Sequence, residues 1–221
     1  MSLLGRALTL LAAPQCVWCH LPTTWDQTVC PACEASFRSL SAAHPRHPVT
    51  AGLDDLWSAL PYEEPVRSWI ARVKTGRSVL AAQALGQRMA AAYRPQPDDS
   101  SAHRWIVPIP LPARRWVTRG FNQAHLLAQS LAHCHGGRMC TVLRTSAMRS
   151  SLSSQNKRKR LDSDHRFSLG DTSGLGEPAT IWLVDDVVTN GTTLERAAAV
   201  MRARWPRARL YGITLARTPP L

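Results

Sequence analysis

Apolar residues recur along this chain with two spacings, and the spacing changes at clusters of turn-forming residues. Residues 65 to 92, PVRSWIARVKTGRSVLAAQALGQRMAAA, set Val66, Trp69, Ile70 and Val73 at helical intervals and then Val79, Leu80, Leu85 and Met89 in an alanine-rich run. Two helices are expected there, broken around Thr75-Gly76. The polar stretch 93 to 103 reads as a surface loop. The short apolar run Trp105-Ile106-Val107 then ends in Pro108 and Pro110, and a helical stretch runs from Asn122 to about His135. A candidate strand at Cys140 to Leu143 is followed by a long polar segment from Thr145 to about Pro178, a strand at Thr180 to Val184, a helix from about Thr192 to Trp205 and a last strand at Leu210 to Leu215. Strands alternating with helices imply crossover connections, hence an α/β fold with a mostly parallel sheet covered on both faces. The polar segment is longer than a connector needs, and such lengths belong to lids or disordered loops. The proline-rich SAAHPRHPVTAG, residues 41 to 52, reads as a linker between a small unit at 1 to 50 and a main domain at 51 to 221.

Composition narrows the class of protein. With 221 residues, 44% of them hydrophobic, the chain can bury one real core and carry a small appendage. Its 27 Lys and Arg against 15 Asp and Glu give a formal net charge of +12, which favours polyanionic partners such as nucleic acid or phosphorylated small molecules. The opening MSLLGRALTLLAAP has a basic residue and a short apolar run, but no convincing small-residue cleavage site precedes Cys16. No segment approaches the roughly 18 to 20 apolar residues a membrane span needs. No membrane insertion and a cytoplasmic location are therefore expected.

Four of the six cysteines form two C-x-x-C pairs, Cys16-Val17-Trp18-Cys19 and Cys30-Pro31-Ala32-Cys33. That spacing lets two tight knuckles complete a tetrahedral sulfur shell suited to a structural zinc ion, a zinc ribbon. Two disulfides in an exported module are the competing reading, and nothing else points to export. A metal would supply folding energy that so small a unit cannot draw from apolar burial. His20 is expected to be solvent-exposed, and Cys134 and Cys140 to be ordinary buried thiols.

The segment IWLVDDVVTNGTTL places Asp185 and Asp186 at the carboxyl end of a buried strand, where open α/β sheets hold their ligands. Gly191 permits a positive φ or a close backbone approach, and Thr189, Thr192 and Thr193 add hydroxyls to the free amides of a helix start. This is a cradle for a phosphate monoester. Carboxylates beside it make sense if the ligand also offers hydroxyls, as a ribose 5-phosphate does.

LVDDVVTNGTTL resembles the phosphoribosyl pyrophosphate (PRPP) motif of type I phosphoribosyltransferases, and the resemblance extends over nearly the whole chain to the ComF family of competence-associated, phosphoribosyltransferase-like proteins. The double C-x-x-C ribbon, the helical segment with Lys74, Gly76 and Arg77, and Val107-Pro108-Ile109-Pro110-Leu111-Pro112 followed by Arg115 and Arg119-Gly120-Phe121-Asn122-Gln123-Ala124 all match that family's pattern. The resemblance implies a type I phosphoribosyltransferase-like sheet. It also implies that Asp185 and Asp186 accept hydrogen bonds from the ribose 2- and 3-hydroxyls and favour an oxocarbenium-like transition state as pyrophosphate departs. Thr189, Asn190, Gly191, Thr192 and Thr193 would hold the 5-phosphate, and the loop after Pro110, with Leu111, Arg114, Arg115 and Arg119, would meet the pyrophosphate. Magnesium would arrive with PRPP, bridging diphosphate and sugar oxygens largely through the ligand and waters. Single-stranded DNA and DNA-uptake helicase machinery are the implied partners.

The chain departs from the family in the hood over the reacting centre. RSSLSSQNKRKRLDSDHRF keeps Phe167, offers Arg158 or Lys159 as its basic position, and puts Asp162 where Asn is usual. Lys157-Arg158-Lys159-Arg160 admits three readings: a solvated loop, a closing clamp for diphosphate, or a contact for single-stranded DNA. The last would be strengthened by stacking on aromatic rings, for which Trp18, Trp25 and Trp116 are candidates or else core residues.

Overall fold

The computed structural model describes residues 14–42, 51–76, 78–97, 99–147 and 165–219. Most of the linker stretch and the Lys157–Arg160 tract, with Arg158, Lys159 and Asp162 of the hood, lie outside the described residues, as does Arg77.

A parallel sheet of five strands forms the centre. In chain order its strands are β1 (Asp55–Pro61), β2 (Arg104–Pro108), β3 (Arg138–Met139), β6 (Thr180–Val188) and β7 (Arg209–Arg217), and they lie side by side as β1-β7-β6-β2-β3. Helices α2 (Val66–Thr75), α3 (Val79–Ala92) and α5 (Gln123–His135) bury apolar side chains against one face, and α6 (Thr192–Arg204) covers the other. The expected α/β class with helices on both faces is what the chain adopts. Two helices separated at Gly76 also match the sequence reading.

Several elements differ from it. Strand β1 went unread, because DLWSALP has few β-branched residues and takes its place through pairing with β7. Its buried Ser58 is satisfied by the hydroxyl of Thr214 on β7 at 2.7 Å. The strand expected at Cys140 to Leu143 is instead two pieces: Arg138–Met139 joins the parallel sheet, and β4 (Leu143–Ala147) pairs antiparallel with β5 (His165–Leu169). Both ends of the long polar segment are thus an ordered hairpin, with Phe167 and Leu169 packed on the α6 side of the core. Residues 113–119, expected as loop, form helix α4 (Ala113–Arg119), closed by Gly120 at φ +78°. Cys140 is buried as expected, but Cys134 is exposed.

The stretch expected as a surface loop supplies a core polar group. Asp99 accepts from Arg104 Nε at 2.9 Å and from the Trp182 indole at 2.7 Å, and the guanidinium lies 4.1 Å from the centre of the Trp182 ring. Arg104 also donates to the carbonyl of His135 at 2.7 Å. A buried ion pair is tolerated only when its remaining donors and acceptors are met, and deleting one partner costs about 3–5 kcal/mol. This network lies at the amino end of β2, away from the acids of β6.

The N-terminal cysteine unit, continued by helix α1 (Pro31–Ala42), packs on α2 and α3. Trp18 is fully buried, its ring stacked on Trp69 at 4.6 Å and its indole donating to the Ala81 carbonyl at 3.4 Å. Arg72 donates to the Trp18 carbonyl, and Arg88 pairs with Glu34 of α1 at 2.5 Å. Cys16, Trp18, Cys30, Cys33 and Phe37 belong to the same apolar cluster as Leu60, Trp69 and Trp182.

Candidate functional site

Strand β6 runs four residues past Val184, so both acids lie within its last paired turn rather than beyond it, with Asp185 opposite Thr214 of β7. Thr189 and Asn190 are exposed and make the bend, Gly191 caps α6 in the left-handed region at φ +79°, and Thr192 and Thr193 open the helix. A side chain at that φ would be strained, which is why a glycine stands there. The Asn190 side chain accepts from the Thr192 amide at 3.2 Å. Thr218, after β7, braces the loop from below through its amide to the Val188 carbonyl at 3.1 Å and its hydroxyl to the Thr189 carbonyl at 3.3 Å.

Among the described residues, three cations face the acids. Lys74 Nζ, on the last turn of α2, reaches Asp186 Oδ2 at 2.8 Å with both side chains largely shielded from water. Arg119 is held below its ordinary range by burial, opposed by the negative charge of Asp186 and Asp185. Its guanidinium donates to the Gln123 side chain at 3.1 Å, while Asn122 caps α5 and donates to the Ile109 carbonyl at 2.9 Å. The run RGFNQA thereby fixes α4 and α5 against the end of β2. Burial, aided by the neighbouring Asp186 charge, pushes the Asp185 carboxyl up to about 7, against the pull of the Asp186 amide, Lys74 and Arg115. The acids, the residues 189–193 expected to cradle a phosphate, and Arg115 and Arg119 are therefore brought to one end of the sheet. Leu111 is half-buried just before α4. Sequence reasoning gave Lys74 no site role, although the match of Lys74, Gly76 and Arg77 to the family pattern marked the segment.

The cysteine unit is a second candidate site. The sulfurs of Cys16, Cys19, Cys30 and Cys33 all lie within 4.8 Å of one another, and Cys19 Sγ is 3.7 Å from Cys30 Sγ. A disulfide would need about 2.05 Å. A tetrahedron of thiolates bonded at roughly 2.3 Å has edges of about 3.8 Å, which these distances fit. Burial at Cys16 is outweighed by hydrogen bonds from the backbone of Cys30, Cys19 and Trp18, which bring its thiol down to about 7. Burial and the other sulfurs push Cys33 up, and burial raises Cys19. Four thiols so placed could hold a metal ion among them. His20 is exposed, with its backbone in the left-handed region at φ +62°.

A scan against models of protein families finds no match. The DNA utilization protein YhgH of Salmonella typhi, however, is 31% identical over 221 aligned residues, covering 87% of this chain and 92% of that protein. This chain belongs to the ComF family. Its ComF relatives include YhgH of Escherichia coli strain K12, 28% identical over 84% of this chain and 83% of that protein. Competence protein ComFC of Bacillus subtilis is 34% identical over 52% of this chain and 45% of that protein. Among solved structures, adenine phosphoribosyltransferase from Leishmania donovani is similar at 11% identity and a TM-score of 0.40, covering 78% of this chain and 86% of that one. In this ComF chain no helix among the described residues is long and apolar enough to cross a membrane.

Proposed function

We propose that this protein is a phosphoribosyltransferase-like factor of DNA utilization that binds magnesium-PRPP at the carboxyl end of its sheet. The observation that carries the reading is the pairing of two shielded carboxylates with a glycine-capped helix start on one side and Lys74, Arg115 and Arg119 on the other. A ribose carrying a 5-phosphate and a 1-diphosphate matches all three parts: hydroxyls for the acids, a monoester for the first amides of α6, and a polyanion for the arginines. The names of its relatives, DNA utilization protein and competence protein, support a role in handling DNA.

The metals divide by donor chemistry. The four sulfurs suit zinc in a closed, structural site. Among the described residues no other group of three or more His, Cys, Asp or Glu side chains converges, so magnesium would arrive with the diphosphate, neutralising charge that Arg115 and Arg119 also meet. The chain's own acids orient the sugar hydroxyls. If turnover occurs, they stabilise the positive charge on the ribose as pyrophosphate leaves.

Calorimetric titration with magnesium-PRPP tests the reading. The parent is expected to bind, and Asp185→Asn,Asp186→Asn is expected to lose at least tenfold in affinity while keeping its circular dichroism. A parent that binds no PRPP at any pH, or a double variant that binds like the parent, sinks it. Release of pyrophosphate only in the presence of an acceptor base would make the protein a transferase rather than a binding factor.

A second reading concerns single-stranded DNA in the cytoplasm. Trp116 is 52% and Val117 83% exposed on α4, the helix that also carries Arg115 and Arg119. An exposed indole on a helix that also carries arginines is a candidate stacking platform for unpaired bases. Trp18, by contrast, is consumed by the core.

A further inference from the structure

Lys74 comes from the opposite side of the sequence to the acids, yet its ammonium lies 2.8 Å from Asp186 Oδ2. Helix α2 aims it there. Val66, Trp69, Ile70 and Val73 bury one face of that helix, and Trp69 is clamped beneath Trp18, so the last turn is fixed in direction and the lysine projects toward the end of β6. Neither partner is a free surface group, with side-chain exposures of 26% and 18%. An ion pair this shielded holds its geometry better than a surface pair, whose two long side chains must be ordered against water.

We propose, resting on the reading of this site as a ribose-phosphate pocket, that Lys74 is a positioning residue: it holds the Asp186 carboxylate and supplies the charge that lets the adjacent acid serve the ligand's second hydroxyl. Two neighbouring carboxylates repel, and a ligand with vicinal hydroxyls needs both as acceptors. The charged groups facing Asp185 among the described residues are Asp186 on its own strand, Lys74 on α2 and Arg115 on α4, and Arg119 on α4 faces both acids. Arg115 and Arg119 are claimed by the incoming diphosphate, which brings negative charge of its own. Lys74 is the cation held directly on the acid pair.

The sign follows. Lys74 favours the ionised form of Asp185, so its removal keeps that carboxyl protonated to higher pH. A protonated acid donates where the ligand's hydroxyl also donates, and binding weakens. Raising the pH restores the carboxylate and with it the affinity.

The test is the affinity for magnesium-PRPP from pH 6 to pH 9 in the parent, Lys74→Met and Lys74→Arg, with Lys74→Gln held in reserve should the methionine variant lose its circular dichroism. Lys74→Met is expected to bind about fivefold more weakly at pH 7 and close to tenfold more weakly at pH 6, the effect of about one unit of displaced titration, and to approach the parent as the pH rises. Lys74→Arg is expected to restore most of the loss. An equal loss at every pH would mean that Lys74 touches the ligand instead, and no loss at all would leave it without a role; either overturns the proposal. Infrared titration of the carboxyl band without ligand separates the two readings. If the protonated band persists to higher pH in Lys74→Met while no variant binds PRPP, the coupling stands and the choice of ligand falls. If the band does not move, the coupling itself falls.

Discussion

Asp185 shows most sharply how one position can serve a ligand and cost the fold. Burial and the adjacent Asp186 raise its carboxyl from the ordinary 3.8 to about 7. The folded chain therefore holds a proton that the unfolded chain has released, and the stability this brings is full below about pH 4 and lost as the pH rises through about 7. Asp185→Asn keeps the shape without the charge. It is expected to melt higher than the parent at pH 8, by roughly 2–4 °C for each kcal/mol relieved, with the difference shrinking by pH 5. Scanning calorimetry at the two values checks it, and a variant no more stable at pH 8 would show the acid to be well solvated. The same substitution is expected to abolish tight PRPP binding, so stability and function would move in opposite directions at this one residue. Much of this was legible in the sequence, because two acids followed by small hydroxylated residues and a glycine is a local pattern. The partner Lys74 was not, since it is joined to Asp186 only by the packing of α2 across the sheet.

Among the elements, those with a strong local signal were readable and those fixed by distant pairing were not. Helices α2 and α3 announce themselves by periodicity and by the break at Gly76, and β6 by its unbroken apolar run. Strand β1 and the β4-β5 hairpin take their identity from β7 and from each other. Helix α4 was hidden because a proline-led, arginine-rich stretch reads as loop, although Pro112 can stand at a helix start without losing a needed donor. The cysteine knuckles were readable from spacing alone, and the structure adds what they support. Removing metal from them should leave several buried sulfurs repelling one another beneath Trp18. Chelation is expected to lower the melting temperature and shift tryptophan emission to the red, and adding zinc is expected to reverse both. Unchanged emission under a strong chelator would mean that the unit holds without metal.

At the level of the whole molecule, the +12 formal charge and the exposed α4 predict how DNA would be met. Phosphate contacts released by salt give a steep decline of affinity with ionic strength, whereas stacking hardly depends on it. Trp116→Ala is expected to weaken binding of a labelled single strand by about tenfold or more, consistent with roughly 1–3 kcal/mol per stacked base, without changing the slope against salt. A variant that alters the slope and not the intercept would place the strand elsewhere. The charge itself was plain from composition, but which tryptophan could meet a base was not, because the sequence does not say that Trp18 is interior and Trp116 exterior.

The stacking of Trp18 on Trp69 has a practical side. Anyone trimming this protein to its α/β sheet domain would strip the roof from Trp69, uncover the apolar flanks of α2 and α3, and leave Arg72 and Arg88 without the groups they hold. The product would be sticky rather than minimal, and whatever it failed to bind would say little about the intact chain.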